Sequence, residues 1–138
     1  MANPKSLKTL LKLRKQELDQ LRSRMQVLET QREQFMTKLV ELQHTKEREA
    51  QLVSQNALMQ MDYPRYVQQN MAEQKQYSQA IVRLSNQINE LQGMMAVQFG
   101  EVKKTEILME KEKQRAKETE EHRDRERMDE LGQQFGEE

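Results

Sequence analysis

The sequence predicts an all-α fold, a long antiparallel two-helix coiled-coil hairpin. Three observations predict it. Ala, Glu, Lys, Leu and Arg supply 64 of 138 residues, the composition of a long helix. Apolar residues recur every seven positions in each half of the chain. One break, "QMDYPRYVQ" at 60–68, interrupts the helical pattern near the middle.

The same composition narrows what the chain can do. Leu, Ile, Val and Phe together number 28, too few for a compact globular core. So polar a chain either stays disordered or buries a narrow stripe on a partner helix. A sustained seven-residue phase selects the second. Cysteine is absent, which excludes disulfides and thiolate zinc sites. No apolar run approaches the roughly 18 residues that cross a bilayer. The opening "MANPKSLKTLLKLRKQ" is basic but lacks an apolar core and a small-residue cleavage site, so a secretory signal is not expected. A reducing cytoplasm is the expected compartment.

Helix one is expected over about residues 5–60. With a heptad d at Leu7, the d positions are Leu7, Arg14, Leu21, Leu28, Phe35 and Leu42, and the a positions are Leu11, Leu18, Met25, Arg32 and Leu39. Only Arg14 and Arg32 are not apolar. Their stems are expected to pack while their charged heads reach water or a flanking glutamate; the alternative is a register device or a partner contact. The turn is expected at about 61–65. Pro64 is tolerated only in a first helical turn, and Asp62 is placed to cap that turn's amides.

Helix two is expected over about 66–131. Its a positions include Ile81, Ile88, Met95, Val102 and Met109, and its d positions include Asn70, Tyr77, Leu84, Leu91 and Gln98. A short connection makes the two helices antiparallel neighbours. If facing residue numbers sum to 123, every a meets a d: Leu42 faces Ile81, Leu39 faces Leu84, Leu28 faces Met95 and Leu21 faces Val102. Slips of seven residues either way keep the seam apolar, so they stay open. The structural seam is therefore Leu21, Leu28, Phe35, Leu39, Leu42, Ile81, Leu84, Ile88, Leu91 and Met95. The whole chain is read as one hairpin domain, with 132–138 as a frayed tail because Gly132 and Gly136 end regular helix.

Charge is unevenly spread. Residues 110–127, "EKEKQRAKETEEHRDRER", hold 14 charged side chains and no apolar stripe, which reads as a solvated helical extension. Met128, Leu131 and Phe135 then return at helical spacing, as a small docking patch or a dangling end. Residues 1–24 carry seven basic and two acidic groups, residues 101–117 six and four, and residues 118–138 three and nine. A basic hairpin end with an acidic tail points to an acidic protein surface. The basic residues lack interleaved aromatics and a reading motif, so nucleic acid is not an expected partner.

Catalytic chemistry is missing. The chain has no phosphate loop, no HExxH and no nucleophile elbow. His44 and His122 sit apart in charged surroundings. No enzyme, cofactor or metal is expected. Met36, Met59, Met61, Met71 and Met94 fall off the seam and suit an adaptable binding surface.

The opening "SLKTLLKLRKQELDQL", the mid-chain "DYPRYVQQNMAEQKQYSQAIVRLSNQINELQ" and the closing "KKTEILMEKEKQRAKETEEHRDRERMDELGQQF" resemble the FliJ family of bacterial flagellar type III export. Its virulence-secretion counterparts look similar. The resemblance implies a hairpin similar to the central stalk of rotary ATPases. It also implies three kinds of partner: the hexameric export ATPase with its regulator, the cytoplasmic domain of the export gate, and the substrate chaperones. The end carrying both termini would enter the ATPase ring, which assigns that contact to Leu10, Leu13, Arg14, Met128 and Leu131. Tyr63 and Tyr66 near the turn are assigned to the gate, because Gln69, Glu73 and Gln76 do not match the family's contact face; their alternative role is packing across the turn. The implied location is the cytoplasm, peripheral to the inner membrane at the flagellar base. The competing reading is a generic coiled-coil scaffold or adaptor whose helices pair between chains as a dimer.

Overall fold

A computed structural model describes residues 4–136, apart from the side chains of Pro4, Ala57 and Met59. Two long helices, α1 (Pro4–Gln55) and α2 (Tyr63–Gly136), flank a 3-10 turn (Ala57–Met61). No strand occurs among the described residues. The fold is the all-α antiparallel coiled-coil hairpin. Its contacts divide it into two units, Met1–Asp19 with Ala96–Glu138 and Gln20–Met95.

The second unit, Gln20–Met95, contains the turn. α1 stops because Asn56 leaves helical geometry, at φ −137° and ψ 108°, and its Oδ1 accepts a hydrogen bond from the Leu58 amide at 3.1 Å. This is an N-cap, satisfying an amide that has no partner within its own turn. The Asp62 carbonyl then accepts from the Tyr66 amide at 3.0 Å and opens α2. Pro64 falls in the first turn of α2, where its missing N–H costs nothing. The connection thus occupies residues 56–62, not 61–65. Asp62 serves α2 with its main-chain carbonyl; its carboxylate makes no hydrogen bond among the described residues. The cap that redirects the chain is Asn56, and it acts six residues earlier than the proline indicated.

That earlier turn moves the register. Across the pair, Arg32 Nη1 donates to Ser85 Oγ at 3.3 Å, the Phe35 and Tyr77 rings lie 5.5 Å apart at 59°, and Asn70 Nδ2 donates to the Leu42 carbonyl at 3.0 Å. The residue numbers of these pairs sum to 117, 112 and 112, six to eleven below the expected 123, so the alignment is shifted by about one heptad or slightly more. Arg32 therefore does more than reach water: it bonds across the pair. Leu84, Ile88 and Leu91 are buried, Ile88 most deeply at 2% exposure. Leu21, Leu28, Phe35, Leu39, Leu42, Ile81 and Met95 are half-buried. A two-helix seam always leaves its flanks open, so partial burial is what two helices alone can give.

The seam's polar member is Asn70, only 4% exposed. Besides Leu42 it donates to Tyr66 Oη at 3.5 Å, and its Oδ1 accepts from Gln74 Nε2. Every polar atom of the amide that faces the seam has a partner, so its burial carries no unpaired-group penalty.

In the first unit, α1 residues 4–19 pair with the start of α2's second half. Leu7, Leu18, Val102 and Thr105 are buried, and Thr105 Oγ1 donates back to the Glu101 carbonyl at 2.9 Å. Gln98 Nε2 donates to the Arg14 carbonyl at 3.1 Å and to Glu17 Oε2 at 2.9 Å. Arg14 reaches the same Glu17 at 3.7 Å, the flanking glutamate expected for it. From Lys113 to Gly136 every residue of α2 is exposed. The helix runs past Gly132, where a stop was expected. A glycine ends a helix by turning left-handed, and no glycine here has positive φ.

Candidate functional site

No group of three or more His, Cys, Asp or Glu side chains among the described residues is placed to hold a metal. No helix among the described residues is long and apolar enough to cross a membrane. Both histidines lie on the surface beside single glutamates, His44 at 3.9 Å from Glu47 and His122 at 3.2 Å from Glu126. The surface chemistry on offer is therefore helix faces with exposed apolar and charged side chains, and it separates into two regions.

The first region is the turn. Tyr63 and Tyr66 are half-buried, and the Tyr66 hydroxyl is engaged by Asn70. Both tyrosines pack at the base of the turn. The side chains that stand out there are Leu58 and Met61, each 88% exposed. The sequence reading missed Leu58, because a 3-10 turn projects side chains that a heptad pattern assigns to no face. A shallow groove further along the same unit, well away from the turn, is lined by Phe35, Tyr77, Glu73, Gln76 and Arg83.

The second region is the unit that holds Leu10, Leu13, Arg14, Met128 and Leu131. Leu10 and Arg14 are half-buried and Leu13 is half-exposed. Leu7 and Leu11 form one wall of a groove whose other wall is Met109 and Ala116, rimmed by both charges: Lys8 and Lys113 with Glu106, Glu110 and Glu112. Leu10 and Leu13 thus lie level with this groove. Met128 begins twelve residues beyond Ala116, roughly 18 Å along the helix, so the structure does not bring the α1 leucines and the Met128–Leu131 pair together. It does put Met128, Leu131 and Phe135 at i, i+3 and i+7 on one helix face, all exposed. Of the off-seam methionines, Met36, Met61, Met71 and Met94 are exposed, and Met59 lies outside the described side chains.

Two side-chain arrangements escaped the sequence reading. Gln98 and Asn70 were weak points of an apolar seam by sequence. In the structure each reaches across to a main-chain carbonyl of α1, so each is a polar clasp. A run of polar d positions was the available signal.

No curated protein and no solved structure gives a significant match to the chain. A family model described as "Flagellar FliJ protein" matches residues 4–136. With that span covering nearly every residue of both helices and the turn between them, the chain belongs to the FliJ family, a component of flagellar type III export.

Proposed function

We propose that the protein acts as a stalk-like partner of the hexameric export ATPase and its regulator, and that it escorts export chaperones to the cytoplasmic domain of the export gate. Family membership across residues 4–136 carries this reading. It is supported by the unit holding both chain ends. There α2 continues beyond its pairing with α1 as an exposed helix bearing Met128, Leu131 and Phe135. Exposed apolar side chains at helical spacing on a charged helix are the anchors such a helix offers to a partner. Leu10, Leu13, Arg14, Met128 and Leu131 are assigned to the ATPase ring. Tyr63 and Tyr66 are assigned to the gate together with the exposed Leu58 and Met61. The protein would work in the cytoplasm, held peripherally at the inner membrane of the flagellar base by its partners.

The test is to mix the protein with its cognate ATPase and to measure hexamer formation and turnover. Both should rise, and no change in either would refute the reading. Leu131→Ala should lower that stimulation several-fold while shifting the melting temperature by less than about 1 °C, since an exposed side chain contributes little to folding. For the gate, Leu58→Ser should weaken binding to the gate's cytoplasmic domain more than Tyr63→Phe does, read by titration calorimetry.

A further inference from the structure

The unit that contains both chain ends separates its charges along its length, across α1 and α2. Residues 4–19 and 96–117 carry eleven basic and six acidic side chains, whereas residues 118–136 carry three basic and seven acidic. On α1, Lys8, Lys12 and Lys15 follow one another at i, i+4 and i+7, all exposed and none in an ion pair among the described residues. On α2, Glu120, Glu121 and Asp124 lead directly into Met128, Leu131 and Phe135 on the same face; of these three acids, Asp124 alone has a cation within 4 Å among the described residues, Arg127 at 4.0 Å. α2 is continuous through Gly136, so its acidic stretch runs away from the lysines of its own chain and cannot fold back on them. The surrounding surface is not purely charged: on α2, Phe99 is half-exposed with Lys103 5.3 Å over its ring.

From this we infer that two copies of the chain associate through these ends, antiparallel, each laying its acidic, apolar-tipped α2 extension along the lysine-rich α1 and α2 surface of the other. A second copy supplies what one chain cannot. It offers opposite charge on runs of similar length, about 10 Å from Lys8 to Lys15 against about 6 Å from Glu120 to Asp124 at 1.5 Å per residue, and apolar surface around Phe99 for Met128, Leu131 and Phe135. A two-fold axis makes the contact reciprocal, so every charge pairing occurs twice. The surface is small and polar, so association is weak, reversible and strongly salt-dependent. It would also cover the end assigned above to the ATPase ring, making the dimer a stored form; the dimer itself stands whether or not that assignment holds.

Sedimentation equilibrium of the full chain tests this without any partner. At about 50 mM salt a monomer–dimer equilibrium is expected at micromolar concentrations, weakened at least tenfold at about 500 mM. The triple change Lys8→Glu, Lys12→Glu, Lys15→Glu should weaken association at least tenfold at low salt. Adding Glu120→Lys, Glu121→Lys and Asp124→Lys to that variant should restore it. Leu131→Ser with Phe135→Ser should weaken it likewise, with helicity by circular dichroism unchanged in every variant. Four results would each overturn the inference: a monomer at every concentration, which would leave the extension to a different protein; a dimer indifferent to salt; a dimer unmoved by the triple lysine change; or a charge swap that fails to restore association.

Discussion

Ile88→Ala is expected to lower the unfolding free energy by about 2–4 kcal/mol, the range for truncating a well-packed aliphatic side chain. Ile88 is the most deeply buried side chain among the described residues, at 2% exposure, and Leu84 and Leu91 stand a turn away on the same face. A two-helix seam leaves its flanks open to water, so no sealed cavity remains and the cost should fall in the lower part of that range. The measurement is urea unfolding followed by circular dichroism at 222 nm. A loss below about half a kcal/mol would mean that Ile88 does not face α1. Val27→Ala, at a side chain 65% exposed, serves as the control and should change stability by less than about 0.5 kcal/mol.

Asn70→Ala should cost about 1–2 kcal/mol, and Asn70→Leu should cost less or even stabilise. The alanine change deletes the hydrogen bond to the Leu42 carbonyl and strands Gln74 and Tyr66, which both bond to the same amide. Leucine instead completes the apolar seam. What leucine removes is specificity: a buried asparagine at a seam position ties one alignment to one carbonyl, and an all-apolar seam accepts any heptad slip. The Asn70→Leu protein should therefore populate more than one register while melting no earlier. If both variants melt alike and keep one register, Asn70 has no aligning role. Arg32 should matter less. Its bond to Ser85 is partly exposed, so Ser85→Ala should cost no more than about 0.5–1 kcal/mol.

Why the fold class was legible and the alignment was not follows from the same heptads. A seven-residue repeat tells which face of each helix is apolar, and that is enough to predict two helices packed against each other. The repeat is also unchanged by a shift of seven, so apolar residues alone cannot choose among slips. Pro64 was the conspicuous mark in the sequence, and reading the turn from it placed the reversal too late. The choice is made by less conspicuous residues. Asn56 stops α1 early. Asn70 and Arg32 each find a specific partner across the pair. Gly132 misled for a related reason: glycine permits a left-handed stop but does not require one, and the flanking residues Glu130, Leu131, Gln133 and Gln134 all favour helix. The binding surfaces were the least legible part. Catalytic chemistry leaves rare residue types at fixed spacings, whereas a docking helix uses the same Leu, Met and Glu as the rest of the chain. Exposure distinguishes Leu58 and Met61 from Tyr63 and Tyr66, and exposure is set by a turn geometry that no heptad encodes.

The alignment of the two helices is the claim on which the rest stands, and disulfide trapping tests it directly. The chain has no cysteine of its own. Paired Leu42→Cys and Asn70→Cys should therefore cross-link within one chain under mild oxidation, because the short Asn70 side chain lies 3.0 Å from the Leu42 main-chain carbonyl, which brings the two backbones close. The pair Leu42→Cys and Tyr77→Cys, one heptad further along α2, should not. Rapid closure of the second pair with failure of the first, or cross-links that form only between chains, would contradict the hairpin as described.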